Sequence, residues 1–139
     1  MEGHMPNIHW NKAFSVGFAE LDIQHQKWFE LYNTARTRAI QHDQALPGDV
    51  IAQFLTDMRA YSNDHFVYEE EYMLEIGYPD AGDHQKIHQA FDAKISEYQN
   101  ALDHASPQMT KEILDFIQHW LLDHVANEDR KYCSFAAPR

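Results

Sequence analysis

The chain has 139 residues, enough for one domain with a sizeable core, and 44% of them are apolar, which excludes a disordered protein. A formal net charge of -11 argues against nucleic acid or an anionic membrane as a partner, since both need a basic surface. No apolar run approaches the roughly 18 residues of a membrane span, so no membrane insertion is expected. Met1 to Trp10 lacks an apolar stretch, so no leader peptide is expected. The single cysteine, Cys133, cannot form an intrachain disulfide and fits a reducing, cytoplasmic setting. Histidine is the compositional anomaly, with ten copies spread along the chain.

In chain order, residues 1–18 read as an extended N-terminal arm, with Trp10, Phe14 and Phe18 available to pack on the helices. The first helical pattern runs from Glu20 to Gln41, with Leu21, His25, Trp28, Tyr32, Ala35 and Ala39 on one stripe. Leu46-Pro47-Gly48 breaks the chain. The second pattern, Asp49 to Ile76, aligns Ile51, Leu55, Met58, Ser62, His65, Glu69 and Tyr72. Gly77-Tyr78-Pro79 ends it. The third, Asp83 to His104, aligns His84, His88, Phe91, Ile95, Tyr98 and Leu102. Ser106-Pro107 is an N-cap followed by proline at the first helical position. The fourth pattern starts there, carries Ile113, Ile117, Trp120, Leu121 and His124, and is expected to continue past Asp129. Four helices with short connections predict an all-α, antiparallel up-down-up-down four-helix bundle. It would fill one domain over residues 1–139, with the bundle spanning 19–135.

Every helix carries a titratable residue on its inward stripe. Buried ionisable groups are costly unless paired or bound to a metal. His65 and Glu69 are four apart, about 40° around an α-helix, and share a face; His84 and His88 repeat that spacing. His25 comes from the first helix and His124 from the fourth. A lone inward histidine is ordinary, but five on four facing stripes would leave several buried hydrogen bonds unmade, at about 1–3 kcal/mol each. A metal centre resolves this, and the ligands exceed what one ion needs, so two ions are expected. Imidazole and carboxylate without thiolate suit iron, zinc, copper or nickel, and spacing does not choose among them. A further carboxylate on the fourth helix is ambiguous: α-helical geometry from His124 selects Glu128, because an i,i+5 pair stands about 140° apart. Glu70 and Glu71 point off the stripe and are expected to be solvated. The same holds for His4, His9, His42, His104 and His119.

These elements occur as Asp22-Ile23-Gln24-His25, His65-Phe66-Val67-Tyr68-Glu69, His84-Gln85-Lys86-Ile87-His88, and Trp120-Leu121-Leu122-Asp123-His124 followed by Asp129. In that order, one per helix, they resemble the hemerythrins, specifically the single-domain bacterial form, from Trp10 to Tyr132. The resemblance implies two iron ions (Fe2+/Fe3+) joined by a bridging oxo or hydroxo group. His84, His88 and His124 would hold one iron, His25 and His65 the other, with Glu69 and Asp129 bridging; the family pattern thus selects Asp129 over Glu128. Five imidazoles, four carboxylate oxygens and a bridge counted twice fill eleven of the twelve positions of two octahedral ions. The open position, on the two-histidine iron, is where the resemblance puts dioxygen, for reversible binding in transport, storage or delivery.

It also implies an oxygen pocket lined by Trp28, Phe66, Trp120, Leu121 and Val125. Trp28 stands where an aliphatic residue is common in the family. Tyr132 would hydrogen-bond near a bridging carboxylate. Two other functions share these residues: an oxygen or redox sensing domain, and a di-iron enzyme. The oxygenating and ferroxidase bundles carry a Glu-x-x-His motif on two helices, and that motif occurs nowhere in this chain. Binding without turnover is therefore expected, with an oxygen-consuming enzyme as the recipient.

Overall fold

The computed structural model describes residues 7–41, 46–102 and 106–136. His4, His42 and His104 lie outside the described residues, and the expectation that they face solvent goes with them. Four long helices, α1 (Ala19–Gln41), α2 (Gly48–Glu75), α3 (Ala81–Asn100) and α4 (Pro107–Asp123), form the bundle. A π-helical turn, His124–Glu128, joins α4 to a last helix, α5 (Asp129–Ala136). Helix α1 packs against both α2 and α4, and α2 against α3. The fourth helix is therefore not the continuous α-helix that its periodicity predicts. No strand occurs among the described residues, and none of their helices is long and apolar enough to cross a membrane.

Local chemistry fixes the helix ends. The Ser106 hydroxyl accepts the Met109 N–H at 3.1 Å and Pro107 opens α4, satisfying one orphan donor and sparing another. At the end of α2, Gly77 takes a left-handed conformation (φ 69°), which lets the Tyr78 N–H reach back to the Met73 carbonyl at 2.9 Å. This closure turns the chain sharply into α3, which starts at Ala81, two residues earlier than expected.

The arm is tied down rather than simply extended. A short 3-10 turn covers Lys12–Phe14. The Asn33 side chain binds both sides of Ile8, accepting its N–H and donating to its carbonyl at 2.8 Å each. Trp10 and Phe14 pack on Phe29, with centroids 5.7 and 5.2 Å away, and Phe18 stacks on Tyr72. Asp22, in the first turn of α1, accepts the Ser15 hydroxyl and the Val16 N–H.

Among the described residues, two apolar clusters fill the interior. The larger runs from Ile51, Leu55 and Ile95 up to Trp28, Phe66, Leu121 and Val125. The smaller, at the opposite end, contains Val16, Leu21, Met73, Tyr132 and Cys133. Along α1 the stripe passes from Leu21 through His25 to Trp28, and along α2 from Phe66 through Glu69 to Met73. The polar layer thus sits between two apolar cores, one at each end.

Candidate metal centre

All seven expected ligands, His25, His65, Glu69, His84, His88, His124 and Asp129, are buried and come together in one layer. They form two overlapping groups able to hold a metal ion: Glu69, His84, His88, His124 and Asp129; and His25, His65, Glu69 and Asp129. The two carboxylates belong to both. Their oxygens divide accordingly. Asp129 turns Oδ1 to the Nε2 atoms of His84 (3.1 Å) and His124 (2.8 Å), and Oδ2 to Nε2 of His25 (2.9 Å). Glu69 turns Oε2 to His84 (3.5 Å), His88 (4.0 Å) and His124 (4.0 Å), and Oε1 to His65.

These approaches are not hydrogen bonds. Nε2 of His25, His65 and His84, Oε1 of Glu69 and both oxygens of Asp129 lie buried without a hydrogen-bond partner, despite their short separations. Lone pairs that converge without pointing at one another are the signature of ligands aimed at a shared cation. Nε2 of His88 and of His124 stand 3.1 Å apart. With a metal–nitrogen distance of roughly 2.1 Å, neighbouring ligands of an octahedral ion are separated by about 3 Å. The donor set therefore fits two metal ions.

The π-helical turn explains the fourth helix's carboxylate. Its i→i+5 bond, from the Asp129 N–H to the His124 carbonyl, brings residues five apart nearly into line. Asp129 is thereby delivered beside His124, fully buried, while Glu128 is carried outward and pairs with Lys131 at 3.1 Å. Straight α-helical geometry would have made the opposite choice.

Both carboxylates stay ionised. Burial pushes the Glu69 carboxyl up and the Asp129 charge adds to this, but the imidazole of His65 and the hydrogen-bonding capacity of His65 and His84 prevail and hold it at about 2. Asp129 lies well below the ordinary range: burial opposes ionisation, and His124, His25 and His84 outweigh it. Two buried negative charges ringed by imidazoles are an anionic cage, stabilised by whatever cation it encloses.

An aromatic wall covers one side. Phe66 stacks on His88 (centroids 3.8 Å apart, 9° between planes) and Trp120 on His124 (4.3 Å, 12°). Trp28 lies 4.7 Å from His65, fully buried, and its indole N–H donates to the Ser62 hydroxyl at 2.9 Å. Leu121 and Val125 are buried in the same cluster, whereas Trp120 is half-buried. On the other side the Tyr132 hydroxyl donates to Oε2 of Glu69 at 3.0 Å. Of the outlying histidines described, His9 and His119 are exposed.

The outer contacts of the buried histidines correct one expectation and add a residue. Glu70 is not free in solvent: its side chain is 25% exposed and Oε2 accepts the Nδ1–H of His88 at 2.8 Å. The Gln85 amide donates to its other oxygen at 2.9 Å. Gln24 plays the matching part on His65, accepting its Nδ1–H at 2.6 Å, and is itself oriented by donating to Glu20 at 3.0 Å. Neither is found by periodicity, because each lies one position off the stripe and acts on a histidine of another helix. Glu71, by contrast, is exposed as expected.

Fold and site together define a metal-binding four-helix bundle with a histidine–carboxylate core. The family model of the hemerythrin HHE cation binding domain matches residues 16–136. The chain belongs to the hemerythrin family. A bacteriohemerythrin of Clostridium acetobutylicum is 27% identical over 88% of this chain and 96% of its own length. A myohemerythrin of Riftia pachyptila is 32% identical over 88% of each chain. A hemerythrin of Sipunculus nudus is 28% identical over the same shares. A crystal structure of wild-type hemerythrin superposes with a TM-score of 0.78, covering 94% of this chain and 98% of that one at 24% identity, which supports the fold. Proteins of this family bind oxygen at a non-haem di-iron centre.

Proposed function

We propose that the chain binds dioxygen reversibly, as a carrier or store, at two irons held by the seven buried side chains. His84, His88 and His124 would hold one iron and His25 and His65 the other, with Glu69 and Asp129 shared between the two groups. The observation that carries this reading is the division of each carboxylate, one oxygen to each histidine set. Three imidazoles on one side against two on the other would leave the second ion with room for a small ligand. When bound, the iron pair supplies the reversible exchange of electrons with dioxygen.

The protein's own contribution is shape, dryness and orientation. Trp28, Phe66, Trp120, Leu121 and Val125 wall the oxygen pocket and keep water and outside proton donors from the site. Tyr132 holds the orientation of Glu69 through its hydroxyl. An apolar wall offers no polar group to position a larger substrate, and the Glu-x-x-His motif is missing from the sequence. Both favour binding over turnover. We read residues 1–139 as one domain, with 1–18 as the arm and 19–135 as the bundle. It acts in the cytoplasm and delivers oxygen to an oxygen-consuming enzyme.

The test is to reduce the purified protein with dithionite, add air and record the visible spectrum. Two irons per chain and an absorption band that appears in air and bleaches on deoxygenation are expected. Oxidation that deoxygenation does not reverse would overturn the carrier reading in favour of a redox sensor or an enzyme.

A further inference from the structure

The two histidine sets differ in more than number. The three-histidine set is backed by a carboxylate, Glu70, which accepts the Nδ1–H of His88 and is pinned by the Gln85 amide. The two-histidine set is backed by a neutral amide, Gln24, on Nδ1 of His65. The amide's direction is fixed, since its nitrogen is committed to Glu20 and only its oxygen can face His65. A hydrogen bond from Nδ1–H to a charged acceptor makes the other ring nitrogen a stronger electron donor than one to a neutral acceptor does. Both contacts also fix the ring orientation and leave Nε2 facing the site.

We propose that Glu70 and Gln24 are positioning residues that make the two ion sites unequal. Glu70 makes the three-histidine site the tighter one, and Gln24 leaves the two-histidine site the weaker and more labile. This inference rests on the ligand reading given above. Its consequence is a division of labour: one ion is a fixed anchor, and the other, with the open position, keeps a weaker field of donors. Partners of this kind change metal affinity by about 10- to 100-fold.

The test is a chelator competition on the iron-loaded, fully reduced chain, using a ferrous chelator that reports by colour. The unaltered protein is expected to release its two ions in two separated steps. Glu70→Gln should weaken the tighter site by about 10- to 100-fold, merging the steps. The paired exchange Glu20→Gln with Gln24→Glu keeps the net charge and a hydrogen bond between these positions, but puts a carboxylate on His65. It should tighten the first-released ion by a comparable factor, which a merely structural role would not produce. Thermal melts of the metal-free variants give the structural readout and should match the unaltered protein. Unchanged release steps in Glu70→Gln, or no tightening in the exchanged pair, would overturn the inference. If the unaltered chain held fewer than two ions, the ligand reading would fall first, and this inference with it.

Discussion

Truncating Trp28 to alanine tests the wall and the core together. The indole is fully buried, touches His65, Phe66, Phe91 and Trp120 with centroids 4.7 to 6.4 Å away, and donates to Ser62. Removing a large aromatic from such a site costs about 3–5 kcal/mol, against a total stability of about 5–15 kcal/mol. For a chain of this length that is a fall in Tm of roughly 10–20 °C. The cavity would lie against His65 and retain one polar partner, the Ser62 hydroxyl, whose other contact is Met58 Sδ at 3.6 Å. A cavity with a hydroxyl in its wall admits water more readily than a wholly apolar one, which stays dry. Trp28→Ala is therefore expected to autoxidise faster than the unaltered protein, and Trp28→Ala with Ser62→Ala more slowly than the single variant. The assay is decay of the oxygenated spectrum at a temperature where both variants remain folded by circular dichroism. An unchanged rate in a folded Trp28→Ala protein would refute the water-excluding role. Destabilisation below about 1 kcal/mol would contradict the packing itself.

Asp129→Asn should lose much of the iron while Glu128→Gln keeps it, read as metal per chain by elemental analysis; the reverse pattern would mean the π-helical turn does not deliver the ligand. Tyr132→Phe removes a buried hydrogen bond to a charged oxygen at 3.0 Å, so a loss of about 1.5–3 kcal/mol by urea denaturation is expected. Arg59 clasps Asp92 with two bonds of 2.7 and 3.0 Å on a partly exposed face, and Arg59→Ala should cost no more than about 1 kcal/mol. The metal-free protein should be most stable near pH 6.5. Burial lowers His88 from 6.5 to about 3, so the unfolded chain binds the extra proton and stability falls as pH drops through that window. Burial also opposes the charge on His84, but the negative carboxylates of Asp129 and Glu69 beside it raise it from 6.5 to about 9, so its contribution is lost as pH rises through that window. Bound iron takes the place of those protons and should abolish the alkaline loss. Urea melts from pH 5 to 9, with and without metal, would show both arms.

The linear sequence determined the bundle and most of its interior. Helical periodicity alone placed His25, His65, Glu69, His84, His88 and His124 on inward stripes, because side chains three and four apart share a face whatever the surroundings. Cap chemistry at Ser106-Pro107 and the break at Gly77 marked the element ends, since these depend on a few neighbouring residues. Three features belonged to the tertiary structure. The π-helical turn selects Asp129, and no local propensity announces it: one residue more per turn becomes stable only when the carboxylate it delivers finds His25, His84 and His124. Glu70 and Gln24 become partners of His88 and His65 only when separate helices are brought side by side. The same is true of the division of each carboxylate between two sets of histidines. Periodicity describes one helix at a time, and these contacts are set by the distances between helices.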